Sequence, residues 1–118
     1  MKRVEFITIE DETDLIVSFA IAPSAYQSHT LLRSPQYEDL LPDFERCAYA
    51  SFDPSEPADD PLLSVHWKQS KVTVTTCRHV YELDISTVDE TETTEAKTVV
   101  KKMVKGVAMY YEIDSLLG

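Results

Sequence analysis

Cys77 and His79 stand two positions apart, and no other thiol in the chain lies so close to an imidazole. A thiolate beside an imidazole is the minimum apparatus of nucleophilic catalysis, and it needs a third group to orient the base. The same two residue types can hold zinc, but C-x-H without a second pair supplies too few ligands. Both residues flank a tight turn, and no neighbouring motif supports either chemistry. The spacing therefore reads as an exposed turn. Cys47, in an apolar stretch, reads as a small buried residue.

Other constellations are weaker still. Glycine occurs only at 106 and 118, so neither a dinucleotide fingerprint nor a P-loop can be written. The segment FDPSEPADDP (52–61) carries four acids, but a calcium loop needs alternating ligand spacing and usually a glycine at its bend. Chance pairs of carboxylates are inevitable with 21 acids in the chain and carry no diagnosis. These residues imply no metal, no cofactor and no catalytic group.

The elements that must position these residues follow from hydrophobic period. Residues 62–86 read as a three-stranded antiparallel meander, with two-residue turns at Gln69-Ser70 and Cys77-Arg78. Trp67 then meets Val72, Val65 meets Val74, Val74 meets Tyr81 and Val72 meets Leu83. Every inward residue meets another, although neither turn has the Asn-Gly type of sequence that two-residue hairpins prefer. The same register lays His66, Thr73 and Glu82 side by side on the outer face. Its outer members stand roughly 9–10 Å apart, too far to share a metal without a further ligand.

Val4–Ile9 and Leu15–Ala22 form an N-terminal hairpin about the acidic stretch 10–14. Val4, Phe6 and Thr8 fall opposite Phe19, Val17 and Leu15, all inward. The strand 15–22 is apolar on both faces and so belongs in the middle of its sheet. His29–Arg33 is a short strand. Ser34-Pro35 begins a short helix, with Ser as N-cap and Pro at the first helical position, and Pro42 ends it. Arg46–Phe52 is a further strand, and residues 52–61 are an exposed acidic, proline-rich loop.

After Ser86 comes the long helix. Asp89, Glu90, Glu92 and Glu95 precede Lys101, Lys102 and Lys105, the order a helix dipole favours. Ala96, Val99, Val100, Met103 and Val104 make one apolar stripe, and Gly106 stands at the C-cap. Residues 107–113 close as a strand or a short helical continuation, and 115–118 fray. Trp67, Tyr81, Tyr110 and Tyr111 are aromatic candidates for a pocket between sheet and helix. The fold class is α+β: residues 1–118 form one domain, a largely antiparallel curved sheet packed by one long and one short helix.

The chain holds 21 acids against 11 bases, a net charge of -10. That surface repels a phosphate backbone, so direct nucleic-acid binding is not expected. No apolar run reaches spanning length, which argues against a membrane segment. Two cysteines make no disulfide framework in a chain this size, which points to a reducing cytoplasm. The expected function is a non-enzymatic interaction module of the immunity-protein, antitoxin or phage-inhibitor type, binding a basic protein surface. Its contact residues would be Glu38, Asp39, Asp43 and Glu45, or Asp53, Glu56, Asp59 and Asp60. A second candidate surface is His66, Thr73 and Glu82 with Lys97 and Lys101. The alternative is a small ligand-binding domain or enzyme with its pocket between helix and sheet, or at a homodimer seam. A homodimer fits either reading, because Val80 and Thr75 face outward and Ile16 and Ala20 need cover.

Overall fold

Lys71–Thr76 alternates half-buried and buried residues without a break, the two-residue period of a strand with one face on a core. The computed structural model describes residues 2–22, 27–35, 47–51, 60–105 and 107. Within them the chain forms β1 (Lys2–Asp11), β2 (Leu15–Ile21), β3 (Gln27–Arg33), β4 (Tyr49–Ser51), β5 (Asp60–Trp67), β6 (Lys71–Thr76), β7 (Val80–Asp84) and α1 (Glu90–Met103). The strands hydrogen-bond in sequence order, and the sheet curves until it closes as a barrel. Each neighbouring pair is antiparallel except the last, where β1 and β7 run parallel through Lys2–Leu83 and Arg3–Asp84. The chain is thus α+β, with one helix on a largely antiparallel sheet.

The meander has the expected register from Ser64 onward, and the pairing of β5 with β6 shifts between Leu62 and Ser64. Trp67 pairs with Val72, Val65 with Val74, Val74 with Tyr81 and Val72 with Leu83. Lys68 N–H donates to the Lys71 carbonyl (2.7 Å) and Thr76 N–H to the His79 carbonyl (2.8 Å), so both turns have two residues. β2 sits between β1 and β3, the central place its two apolar faces require.

The first hairpin departs from its expected register. Its ladder runs on to Asp11–Leu15, the loop is 12–14, and the pairing shifts between Val4 and Phe6. Val4 pairs with Ile21 and Ile7 with Phe19. A bulge adds one residue to a strand and turns the side chains beyond it to the other face. Val4 and Ile7 therefore point inward, whereas Phe6 is 43% exposed and Thr8 lies outside. Asp60 and Pro61, expected in the loop 52–61, belong to β5, and residues 52–59 lie outside the described residues. The short helix after Ser34-Pro35, the Gly106 cap, the aromatic pair Tyr110-Tyr111 and the closing segment beyond Val107 lie outside the described residues.

Phe19, Leu31, Leu62, Leu83, Met103 and Val17 fill the interior, each almost wholly removed from water. Burial of that kind contributes roughly 1.5–3 kcal/mol per large aliphatic or aromatic side chain. The stripe Ala96, Val99, Val100 and Met103 is part of the same core, so α1 is a wall of the barrel and not an appendage. The Asp89 side chain caps the helix by accepting from Thr91 N–H (2.7 Å). At the other end the Arg33 guanidinium donates to the carbonyls of Met103 (2.7 Å) and Lys105 (2.9 Å). A cation there satisfies two of the carbonyls a helix leaves open and complements its dipole.

Where β7 stops at Asp84, α1 takes over its course beside β1. Glu92 Oε1 accepts the Ile7 N–H (2.9 Å), and Lys102 Nζ bonds the Asp11 carboxylate (2.5 Å). The helical segment 92–102 is roughly 15 Å long and the strand segment 7–11 roughly 13 Å, so the two run side by side in one direction. Glu92 thereby supplies the acceptor that a neighbouring strand's carbonyl would have given. An open strand edge invites pairing with other chains, and the helix covers this one. Glu92→Ala should cost about 1–2 kcal/mol in urea unfolding and speed hydrogen exchange at the Ile7 amide. Glu92→Gln keeps an acceptor oxygen and should stay within about 0.5 kcal/mol of the parent chain. Equal damage from both variants would show that charge, not the acceptor, is what matters.

Candidate functional site

Two-residue hairpins favour glycine because their central residues adopt left-handed backbone, and the Cys77-Arg78 turn has none. A carboxylate from the next strand holds it instead. Asp60, the first residue of β5, accepts from Thr76 Oγ1 (2.5 Å), Arg78 N–H (3.2 Å) and His79 Nδ1 (3.2 Å). Cys77 N–H donates to the Pro61 carbonyl (3.0 Å), and His79 N–H to Thr76 Oγ1 (2.9 Å). Burial works to raise the Asp60 pKa. The hydrogen bonds from Thr76, His79 and Arg78, with the charge of His79, outweigh it and hold the carboxyl below its ordinary value. An ionised carboxylate only accepts, so His79 Nδ1 carries the proton.

An aromatic stack continues from this pair into the barrel. The His79 ring lies on Tyr81 with centroids 5.3 Å apart and planes 26° apart. Tyr81 in turn meets His29 edge-on at 4.5 Å. His29 is buried, and loss of hydration, with the charge of Lys2, lowers its pKa to about 4. It is therefore neutral at pH 7.

Asp60 and His79 form a hydrogen-bonded carboxylate–imidazole pair, and Cys77 is exposed in the same turn. Among the described residues, however, no hydrogen bond joins the Cys77 thiol to an imidazole, and no group of three His, Cys, Asp or Glu side chains could hold a metal ion. Both Asp60 oxygens are engaged in holding the turn. Asp60 was an expected contact residue on an exposed loop; its carboxylate is turned inward and is 10% exposed. The other residues of that expectation, Glu38, Asp39, Asp43, Glu45, Asp53, Glu56 and Asp59, lie outside the described residues.

The second expected surface divides in two. His66, Thr73 and Glu82 do form a cross-strand row. Glu82 is taken up by Lys71 Nζ at 3.1 Å, and His66 Nε2 is buried with no hydrogen-bond partner among the described residues. Lys97 is elsewhere, 5.7 Å from the ring centroid of Trp67, which alternation puts on the opposite face of β5 from His66. Lys101 is exposed on α1. Val80 is 65% exposed, whereas Ala20 is buried and Ile16 half-buried, so the second face of β2 is largely covered.

A groove beneath Trp67 lies where a pocket between sheet and helix was the alternative expectation, but its other lining residues were not foreseen. It lies between the β5–β6 turn and the first turns of α1 and encloses about 580 Å³. Trp67 was expected either in the core or, with Tyr81, Tyr110 and Tyr111, in a pocket between sheet and helix. The signal was its place as the last inward residue before a turn, where one side of the ring packs on Phe19, 6.2 Å away, and the other is left outside the barrel. No described helix is long and apolar enough to cross a membrane. Comparison with protein-family models, with curated proteins and with solved structures finds no match.

Proposed function

We propose that the protein is a non-enzymatic interaction module that presents an acidic surface to a basic protein partner, in a reducing cytoplasm. One observation carries this reading: acids outnumber bases by 21 to 11, and several of the cations are engaged within the fold. Lys102 pairs with Asp11, Lys71 pairs with Glu82, Arg33 closes the helix C-terminus and Lys97 lies over Trp67. With 21 acids against 11 bases, these contacts leave a large excess of acid that the chain does not neutralise itself. Glu5, Glu10, Glu12, Asp89, Glu90 and Glu95 are all exposed. The engagement of both Asp60 oxygens in a turn also speaks against acid–base catalysis by that pair.

Complementary charge accelerates association more than it deepens affinity. The test is to capture proteins from a native lysate on the immobilised chain at low salt and to measure association with the purified partner. A basic partner whose association rate falls about tenfold or more between 50 and 500 mM NaCl is the expected result. A neutral or acidic partner, or association indifferent to salt, would rule the acidic-surface reading out.

A further inference from the structure

The groove under Trp67 differs in charge from the rest of the surface. Lys68 and Lys97 line it, and Glu90 is its one acid. Among the described residues neither lysine forms an ion pair, in contrast to Lys71 and Lys102. Ser86, Thr93 and Thr94 add hydroxyls, and Gln69 an amide, at its rim. Its floor includes Ile85, 4% exposed, and Val88, which packs on the core. The groove is thus mostly polar, with one aromatic wall and two aliphatic residues, and about 580 Å³ is within the usual size of a small-molecule site.

The arrangement selects a ligand class. The Trp67 ring offers a flat face to another flat ring. Lys97 Nζ already lies near that ring, held by its quadrupole, and retains donors for an anion. Lys68, on the turn across the groove, supplies a second cation. An aliphatic anion would leave the ring uncovered, and a neutral ring would leave both ammonium groups without a partner. We propose that this groove binds a small planar organic anion, an aromatic carboxylate, with its ring against Trp67 and its carboxylate between Lys97 and Lys68. The site is independent of the acidic interaction surface, and either can hold without the other.

Trp67 is the chain's one tryptophan, so its indole N–H gives a single resonance reporting on the groove alone. The experiment titrates the ¹⁵N-labelled full chain with 2-naphthoate at pH 7, and with 2-naphthamide and hexanoate as the neutral and the ringless probes. Saturable movement of the indole signal by naphthoate with Kd below about 1 mM is expected. The other two probes should bind at least about tenfold more weakly. Lys97→Met, which keeps the aliphatic stem, should weaken naphthoate at least about tenfold, whereas Lys101→Met, the same change of charge one turn along the helix, should not. The unshifted remainder of each spectrum verifies that the variants are folded. Absence of saturation, equal binding of the amide, or equal loss in both lysine variants overturns the proposal.

Discussion

Asp60→Ala is expected to lower the unfolding free energy by about 3 kcal/mol, read as a fall in the urea midpoint at pH 7. The change removes the acceptor of the Arg78 amide and the His79 imidazole and leaves the Thr76 hydroxyl only the His79 carbonyl, 3.2 Å away. Thr76 is 4% exposed, whereas Arg78 lies in an exposed turn and the His79 side chain is 55% exposed, so the latter two can recover a partner from solvent. The cost is therefore set mainly by Thr76. Asp60→Asn keeps the volume and one acceptor oxygen but turns a donor toward other donors, and it should recover less than half of the loss. A loss under about 1 kcal/mol in the alanine variant would mean that the turn holds its shape without the carboxylate.

The second large effect is a dependence on acid with two separate windows. His29 has its folded pKa lowered from 6.5 to about 4, so between those values the unfolded chain binds a proton that the folded chain refuses. Stability must then fall as pH falls from about 6.5, and the loss is complete near 4. Integrated over that interval it amounts to roughly 3 kcal/mol. Asp60 acts lower on the scale. Its folded pKa is held below the ordinary 3.8, so its contribution is intact above that value and is lost only as pH drops beneath it. His29→Leu should flatten the variant's own stability curve between pH 6.5 and 4, so that the parent-minus-variant difference falls by roughly 3 kcal/mol across that interval, and leave the lower limb in place. A parallel pair of urea-midpoint curves across pH 7 to 4 would remove His29 from the account.

Legibility in the sequence followed the range of the interaction that decides each feature. The meander was readable because two constraints agreed: the inward residues Val65, Trp67, Val72, Val74, Tyr81 and Leu83, and turns short enough to fix their pairing. The first hairpin had the right strands and the wrong register, since a bulge between Val4 and Phe6 exchanges the faces and no residue there announces it. Closure of the sheet was invisible, because two parallel residue pairs join segments from opposite ends of the chain. Asp60 was assigned to a loop on its company of prolines and acids. Its burial depends on Thr76 and His79, which only the folded hairpin delivers. A pocket by Trp67 was foreseeable, but its lysines were not: Lys68 and Lys97 are 29 positions apart, and only the course of α1 makes them neighbours of one cavity.

That course also orders the events of folding. The meander needs only loops of two residues, whereas the bond from Ile7 to Glu92 closes a separation of 85 residues and that from Arg33 to Met103 one of 70. Closing a long loop is entropically unfavourable until the contacts it enables are made. The hairpins can form early from neighbouring residues, but the core is sealed only when α1 comes down beside β1 and brings Ala96, Val99, Val100 and Met103 with it. A nascent chain that has not yet emerged as far as Met103 therefore holds an unfilled barrel, with the edge of β1 open to other strands. In such a chain, safety from aggregation is gained last, together with its final helix.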